Sequence, residues 1–541
     1  MSLTRVHNRM IEGAAVNVKD FGAVGDGVTD DTAAIQAAID YANAQKRKLI
    51  IDGAYEYKIT DTINVPIGVN HIEVSTESES ISLSNSMGAF LWHGGSNKPV
   101  ILIDRQQSSL YSTFRGLSVI NSDATTYTGI TGFKFRDSEQ TGNSFRVKCY
   151  NLSVSNCEVG YRLGDVEGGD SAADTNLDEG YYSGLKTYRC GTSLILDYGN
   201  GDNNYFEFLF FEGAYSDLVT GFTSDRKIWI RKSGTNLTMN QAFVNASDIV
   251  ANGVLFDLDD GDGAFLNFNS ESQDNNIRLI DVNSSADRGQ ILFSNWRIPN
   301  SSSSPYFRDS SNNSVNINSG PTVTFQSCVF DGNVNSSSPV YATSCLFADG
   351  YGFVQNDSNA DIIEIATRSR ADTATPPNEF LTNKIIQSEL YKRKFSVEKT
   401  NQNIGNIPDN AFESLFEIAL PDNTAIGVKI SYFVYGPNVS NNDRLAERGE
   451  FFMSAVSDNS GNISSSVSKG SFSQALDGFT SLTVSGQAVN DAANNKVTFQ
   501  IKQDNNVNSN AIRCTFSVEL SHSLTGSLPS MDVDNITILA F

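Results

Sequence analysis

Short strand-like phrases recur along the first two thirds of the chain, and this recurrence constrains the fold more than any other feature. Leu117-Ser118-Val119 returns as Leu152-Ser153-Val154, 35 residues on, and Leu185-Lys186-Thr187 stands 33 residues beyond that. Cys157-x-x-x-Tyr161-x-Leu163 returns after 33 residues as Cys190-x-x-x-Leu194-x-Leu196, and more weakly as Ala214-x-x-x-Leu218. Ser327-Cys328-Val329-Phe330 is echoed by Ser344-Cys345-Leu346-Phe347. Asn, Gly, Ser and Asp separate the phrases. A single unit of this kind cannot bury its apolar face, so strand-like repeats of roughly 20 to 40 residues point to a β-solenoid whose coils stack on one another. The small cysteines and Ala214 suit an interior column. A sandwich with strands that merely look alike is the competing explanation.

The two ends have a different texture. In Asn17–Ala44, Gly22, Gly25 and Gly27 mark turns, and Thr29, Asp30 and Asp31 offer capping side chains to a helix. Ile35, Ala38, Ile39 and Ala42 then make one apolar stripe, as expected of a helix lying over the end of a sheet stack. Thr375-Pro376-Pro377 is a breaker, and residues 379–399 read as a short helical or extended linker. Residues 411–541 alternate cleanly, as in Val428/Ile430/Tyr432/Val434 and Ile512/Cys514/Phe516/Val518, which predicts an antiparallel sandwich.

Composition narrows the chemistry. Over 541 residues, 39 Lys and Arg against 62 Asp and Glu leave a net charge of −23, which disfavours nucleic acid and anionic membrane surfaces as partners. Hydrophobic residues make up 39%, enough for a sizeable core. No apolar run reaches the ~20 residues of a membrane span, and MSLTRVHNRM lacks an apolar signal core, so no secretory route is expected. Six cysteines without a CxxC pair argue for reduced, buried thiols. The histidines are His7, His71, His93 and His522, and none is near another in sequence. A histidine-based nucleophile or metal centre is therefore poorly supplied, whereas carboxylates are abundant.

Asn17-Val18-Lys19-Asp20-Phe21-Gly22-Ala23-Val24-Gly25-Asp26-Gly27, followed by Thr29-Asp30-Asp31-Thr32 and Ile35-Gln36-Ala37-Ala38-Ile39, resembles the entry motif of the pectate-lyase-like right-handed parallel β-helices. That family includes lyases, hydrolases, epimerases and inactive binders, so the motif is specific for the fold and not for an activity. Its usual Pro-x-Gly-x-Tyr sequel is only approximated by Asp52-Gly53-Ala54-Tyr55. The polar start TRVHNRMIEG, joined directly to the motif, and the order β-helix, linker, sandwich are similar to phage tailspike and tail-fibre depolymerases. The resemblance implies an all-β chain with four parts. These are an attachment stub at 1–17, a right-handed parallel β-helix with a short capping helix at 18–365, a linker at 366–400, and a jelly-roll-like antiparallel sandwich at 401–541 for trimerisation or carbohydrate binding. It further implies a homotrimer in a virion, joined by its stub to a tail or baseplate protein and acting on a capsule, exopolysaccharide or O-antigen at the host surface. Few disulfides agree with synthesis inside a cell.

Glycoside hydrolysis needs one protonated and one ionised carboxyl group, which on a β-helix come from neighbouring coils. Glu207 and Glu212 in YFEFLFFE sit among aromatics able to raise an acid's pKa, with Asp217 beyond them, and NSESQD supplies Glu271 and Asp274. Glu207, Glu212, Glu271 and Asp274 are therefore the catalytic candidates. The acids between Asp165 and Glu179 read as a solvated loop. Asp257, Asp259, Asp260 and Asp262 crowd one turn, where calcium is conceivable, but no closing Glu follows and a plain Asp-Gly turn is the better account. No metal or cofactor is expected. In Arg226–Lys232, alternation puts Lys227, Trp229 and Arg231 on one face, where Trp229 is positioned to stack on a sugar and Arg231 to pair with an acidic one. Trp296 is a second stacking candidate. Elimination on a uronate polymer and non-catalytic receptor binding are the alternatives to hydrolysis.

Overall fold

The computed structural model describes residues 13–538 apart from 67–70, 75–88, 106–111, 123–127, 138–145, 165–176, 178, 199–202, 214–223, 233–235, 247–248, 272–275, 284–289, 299–306, 319, 349–350, 356–361, 371–378, 387–392, 400–405, 408–410, 421, 423, 438–443, 459, 461, 478–481, 506–511 and 524–535. Most of the expected stub, Asp217, Asp274 and nearly all the acids of 165–179 lie outside the described residues. The chain divides into two compact units, Met1–Ser338 and Pro339–Phe541. Among the described residues no helix is long and apolar enough to cross a membrane.

The first unit is a parallel β-helix. Its register follows the periods in the sequence: Val119 pairs with Val154 and Val154 with Thr187, while Tyr161 pairs with Leu194 and Leu163 with Leu196. One ladder of parallel strands runs from Ile63–Pro66 to Asn333–Ser336. The other ladder is creased: earlier coils contribute two short strands meeting at a two-residue bend, as in Tyr181–Ser183 and Lys186–Tyr188. Later coils carry the crease inside one longer strand, Tyr205–Glu212, Leu237–Asn245 and Gly263–Glu271.

Alternate residues point inward and stack coil on coil. Tyr182 lies on Phe206 at 4.4 Å, Phe265 on Phe293 at 5.1 Å and Phe293 on Phe325 at 5.4 Å. Each such ring contributes about 1.5–3 kcal/mol of burial. Cys149, Cys157, Cys190 and Cys328 are buried thiols of the same interior.

The N-terminal helix, Thr32–Ala44, buries Ile35, Ala38, Ile39 and Ala42 as its stripe predicts. Its start differs from the expected cap. Asp31 turns back to accept hydrogen bonds from the Val24 and Gly25 amides at 2.6 and 2.9 Å, and Asp30 accepts from the Thr32 amide and hydroxyl. Asp31 thus fastens the glycine turn. Gly25 is required there: its φ is +65°, and a Cβ would meet the Tyr55 Cβ at 2.7 Å.

In the second unit, Val340–Thr343 pairs in parallel with Ile362–Ile365, and Leu346–Ala348 with Arg368–Arg370. The pairing then becomes antiparallel. The segment read as a linker forms strands Glu379–Ile386 and Arg393–Lys399, and the sheet continues through Ile512–Ser523, Ala425–Pro437, Arg444–Ser457 and Ile463–Asp477. A smaller sheet of Leu482–Asp491, Lys496–Asn505, Glu413–Ala419 and Ile536–Ile538 shares a core with it that includes Phe416, Ile430, Phe451 and Phe499. This is the sandwich that the alternation of 411–541 predicts. Within it, buried Glu447 accepts from Lys469 at 2.6 Å and from Tyr432 at 2.5 Å.

Candidate functional site

Strand Tyr205–Glu212 puts Tyr205, Glu207, Phe208, Phe210 and Glu212 on the outside of the β-helix, because Phe206, Leu209 and Phe211 take the interior positions. Tyr205 stacks on Tyr181 at 5.8 Å with nearly parallel ring planes, and Phe210 stacks on Phe243 at 5.0 Å. The Glu207 carboxylate accepts hydrogen bonds from the Tyr181 hydroxyl and, at 3.2 Å, from the Ser183 hydroxyl. That bond to Glu207 is the main reason the Tyr181 phenol is pushed up to about 12.

Glu212 ends the strand. Phe211 pairs with Val244 and Asn245 with Glu271, so Glu212, Asn245 and Glu271 hold one position in three successive coils. Burial lifts the Glu212 carboxyl above its ordinary value, and the negative charge of Glu271 lifts it further, while Arg189 and Lys227 pull it down. The charge of one predicted acid thus bears on another from a different coil. Glu207 is hydrogen-bonded separately on the other side of the crease, and Asp274 lies outside the described residues.

The second ladder carries a different cluster. Trp229 is half-buried beneath two guanidinium groups, Arg226 at 4.2 Å and Arg231 at 5.5 Å, and its indole Nε1 donates to Asp259 at 2.7 Å. Asp257 lies beside Trp229 in the register and Asp281 one coil further on. Asp257 is buried, ion-paired to Arg226 at 3.0 Å and hydrogen-bonded by Asn283 at 2.9 Å. Burial, then Asp259, push its carboxyl up to about 7 against the opposing charge of Arg226. Arg231 is held by Asp197 at 3.4 Å. Trp229 is thus brought to Asp257 and Asp259, and Arg231 to Asp197, not to the glutamates. Among the described residues no group of three or more His, Cys, Asp or Glu is arranged to hold a metal ion.

Two sequence expectations need correction. Trp296 has no exposed surface: it stacks on Phe268 at 4.3 Å and its Nε1 donates to the Ser270 hydroxyl at 2.8 Å, so it presents no face to a sugar. Lys227 does not share the outward face of Trp229. It is fully buried and its Nζ donates to the Cys190 carbonyl at 2.6 Å, in a strand whose pairing shifts register between Ser224 and Arg226. Simple alternation carries no signal for that shift.

Residues 15–254 match the family described as Rhamnogalacturonase A/epimerase, pectate lyase-like. The pectate-lyase-like resemblance carried by Asn17–Ile39 is thereby borne out. Mannuronan C5-epimerase AlgE1 of Azotobacter vinelandii is 61% identical over 44 residues, 8% of this chain and 3% of that protein. The chain thus spans only a few per cent of the curated relatives it matches first. Among solved structures, it is similar to tailspike protein gp49 from Acinetobacter baumannii bacteriophage Fri1, a capsular polysaccharide depolymerase, at 12% identity and a TM-score of 0.37, covering 99% of this chain and 89% of that one. It is also similar to the tailspike of Acinetobacter baumannii phage AM24, at 12% identity and a TM-score of 0.29, covering 95% and 84%.

Proposed function

We propose that this chain is a phage tailspike that binds a bacterial surface polysaccharide and hydrolyses it, with Glu212 as general acid and Glu271 as general base. The observation that carries this reading is the pairing of the two on one ladder position, with Glu212 raised by burial and by its partner's charge. A carboxyl group raised by burial beside a second carboxylate has the asymmetry the reaction needs. Glu212 gives its proton to the leaving glycosidic oxygen as that C–O bond breaks. Glu271 takes a proton from the water that attacks the anomeric carbon. Outward aromatic rings beside the pair supply sugar-stacking surface. A polysaccharide substrate also fits the family description and the mannuronan epimerases that match part of the chain. The β-helix (18–365) would carry the cleavage site, the strands of 366–400 would connect it to the sandwich, and the sandwich (401–541) would join three copies at the virion tail.

The first test is purified protein spotted on lawns of a panel of encapsulated bacteria, followed by product analysis. Haloes with new reducing ends support hydrolysis. A near-ultraviolet double bond in the products would replace it by elimination, and binding without cleavage would leave a receptor-binding spike. The geometry adds a stereochemical expectation. Two rungs of about 4.8 Å each separate the two backbones by about 10 Å, near the wider carboxyl spacing that admits a water. The product freshly released should therefore have inverted anomeric configuration by NMR, and retention would remove Glu271 as base.

The pH profile follows from the same pair. A general acid works protonated, so activity falls as pH rises through the Glu212 pKa, and that limb is displaced upward from the ordinary glutamate value. Lys227 lowers that pKa, so Lys227→Met should move the limb to higher pH in a protein that still folds by circular dichroism. An unmoved limb would mean that another group is the acid.

A further inference from the structure

Phe208 occupies a place that suits a small or turn-forming residue. In the coils on either side the same bend is made by Gly116, Asn151, Gly184, Gln241, Asn267 and Asn295, all with positive φ. Phe208 has φ +54° and is 55% exposed. An aromatic residue in this conformation is strained, and leaving its ring in water forgoes burial. Nothing within the coil requires the ring, since the neighbouring coils turn without one. Its surroundings are chemically mixed. Glu207 precedes it beside the Tyr181–Tyr205 stack, and Phe210 on Phe243 leads on to Glu212. A row of amides runs alongside, Asn267 donating to Asn240 at 2.8 Å and Asn295 to Asn267 at 2.7 Å.

We propose that Phe208 is a sugar-binding residue of this face, its ring stacking on the apolar side of a pyranose in the glycan that the Glu212–Glu271 pair cleaves. The assignment rests on the polysaccharide reading above and adds the residue that holds the chain beside the acids. The occupant is a glycan because the ring is bracketed on its own strand by two carboxylates and edged by hydroxyl and amide groups. A pyranose offers that combination of apolar face and polar rim, whereas the centre of a protein–protein contact is depleted of charge.

The test compares wild type, Phe208→Gly and Phe208→Trp on an immobilised array of purified bacterial capsular and O-antigen polysaccharides, with thermal midpoint and solution mass measured in parallel. Phe208→Gly relieves the backbone and removes the ring, so its midpoint should equal or exceed that of wild type. Its affinity for the bound polysaccharide should fall about tenfold, and Phe208→Trp should retain it. Unchanged affinity in Phe208→Gly, with cleavage still lost in Glu212→Gln, overturns the role of the ring and leaves the cleavage reading standing. A lowered midpoint with altered solution mass would assign the ring to contacts between chains and overturn the proposal. Wild type that binds no polysaccharide on the array would overturn both.

Discussion

Glu212→Gln is expected to slow depolymerisation by about 10²–10⁴-fold while leaving polysaccharide binding intact, the usual range for loss of a general acid. That loss corresponds to about 2.7–5.4 kcal/mol of transition-state stabilisation. Glutamine keeps the shape and a hydrogen-bonding edge but has no proton to give at neutral pH. The strand should tolerate it, because Glu212 is at the outer face and its backbone carbonyl, which accepts from the Arg189 amide at 3.1 Å, is unchanged. Glu271→Gln should be similarly slow for a different reason, and it removes the charge that helps raise Glu212, so its residual pH limb should shift downward. Glu207→Gln is the contrasting variant. Its carboxylate already accepts from Tyr181 and Ser183, so a positioning role predicts a smaller effect that appears mainly in KM. Equal loss in Glu207→Gln, or full activity in Glu212→Gln, would move the acid to the other side of the crease.

What the sequence made legible follows from how each signal is encoded. Periods of 35 and 33 residues became direct register between Val119, Val154 and Thr187, since inward positions repeat whenever a coil keeps its length. The stripe of the capping helix was equally plain, because period 3.6 is local. The acid pair was not legible as a pair. From Glu212 to the matching Asn245 the step is 245 − 212 = 33 residues, and from there to Glu271 it is 271 − 245 = 26. Surface loops change length from coil to coil, so two residues on one ladder need share no fixed spacing. Asp257 was hidden in another way. Four aspartates near Gly261 resemble a solvated turn, yet the strand Ile249–Leu258 runs far enough to bury Asp257 beneath Arg226 before the turn begins. Its raised pKa comes from that burial, a property no composition window reports.

Trp296→Ala is expected to cost about 3–5 kcal/mol of stability, as for other large buried aromatics, and to show as a lower denaturant midpoint of the full chain. Phe256 meets the indole edge-on at 5.7 Å and Phe268 stacks on it at 4.3 Å, so truncation opens a cavity lined by rigid rings in adjacent coils. The Ser270 hydroxyl, itself buried, loses its indole donor at the same time, which adds to the penalty. Coils of a solenoid stabilise one another through their nearest neighbours, so the defect should weaken the coils that carry Glu271 and Asn245 before it reaches the N-terminal helix. Hydrogen exchange would report that order as early loss of protection in Leu237–Asn245 and Gly263–Glu271. A sugar-binding tryptophan gives the opposite pattern, an unchanged midpoint with weakened glycan affinity. That result would require the ring to leave the core, and it would contradict the packing that makes Trp296 a structural residue.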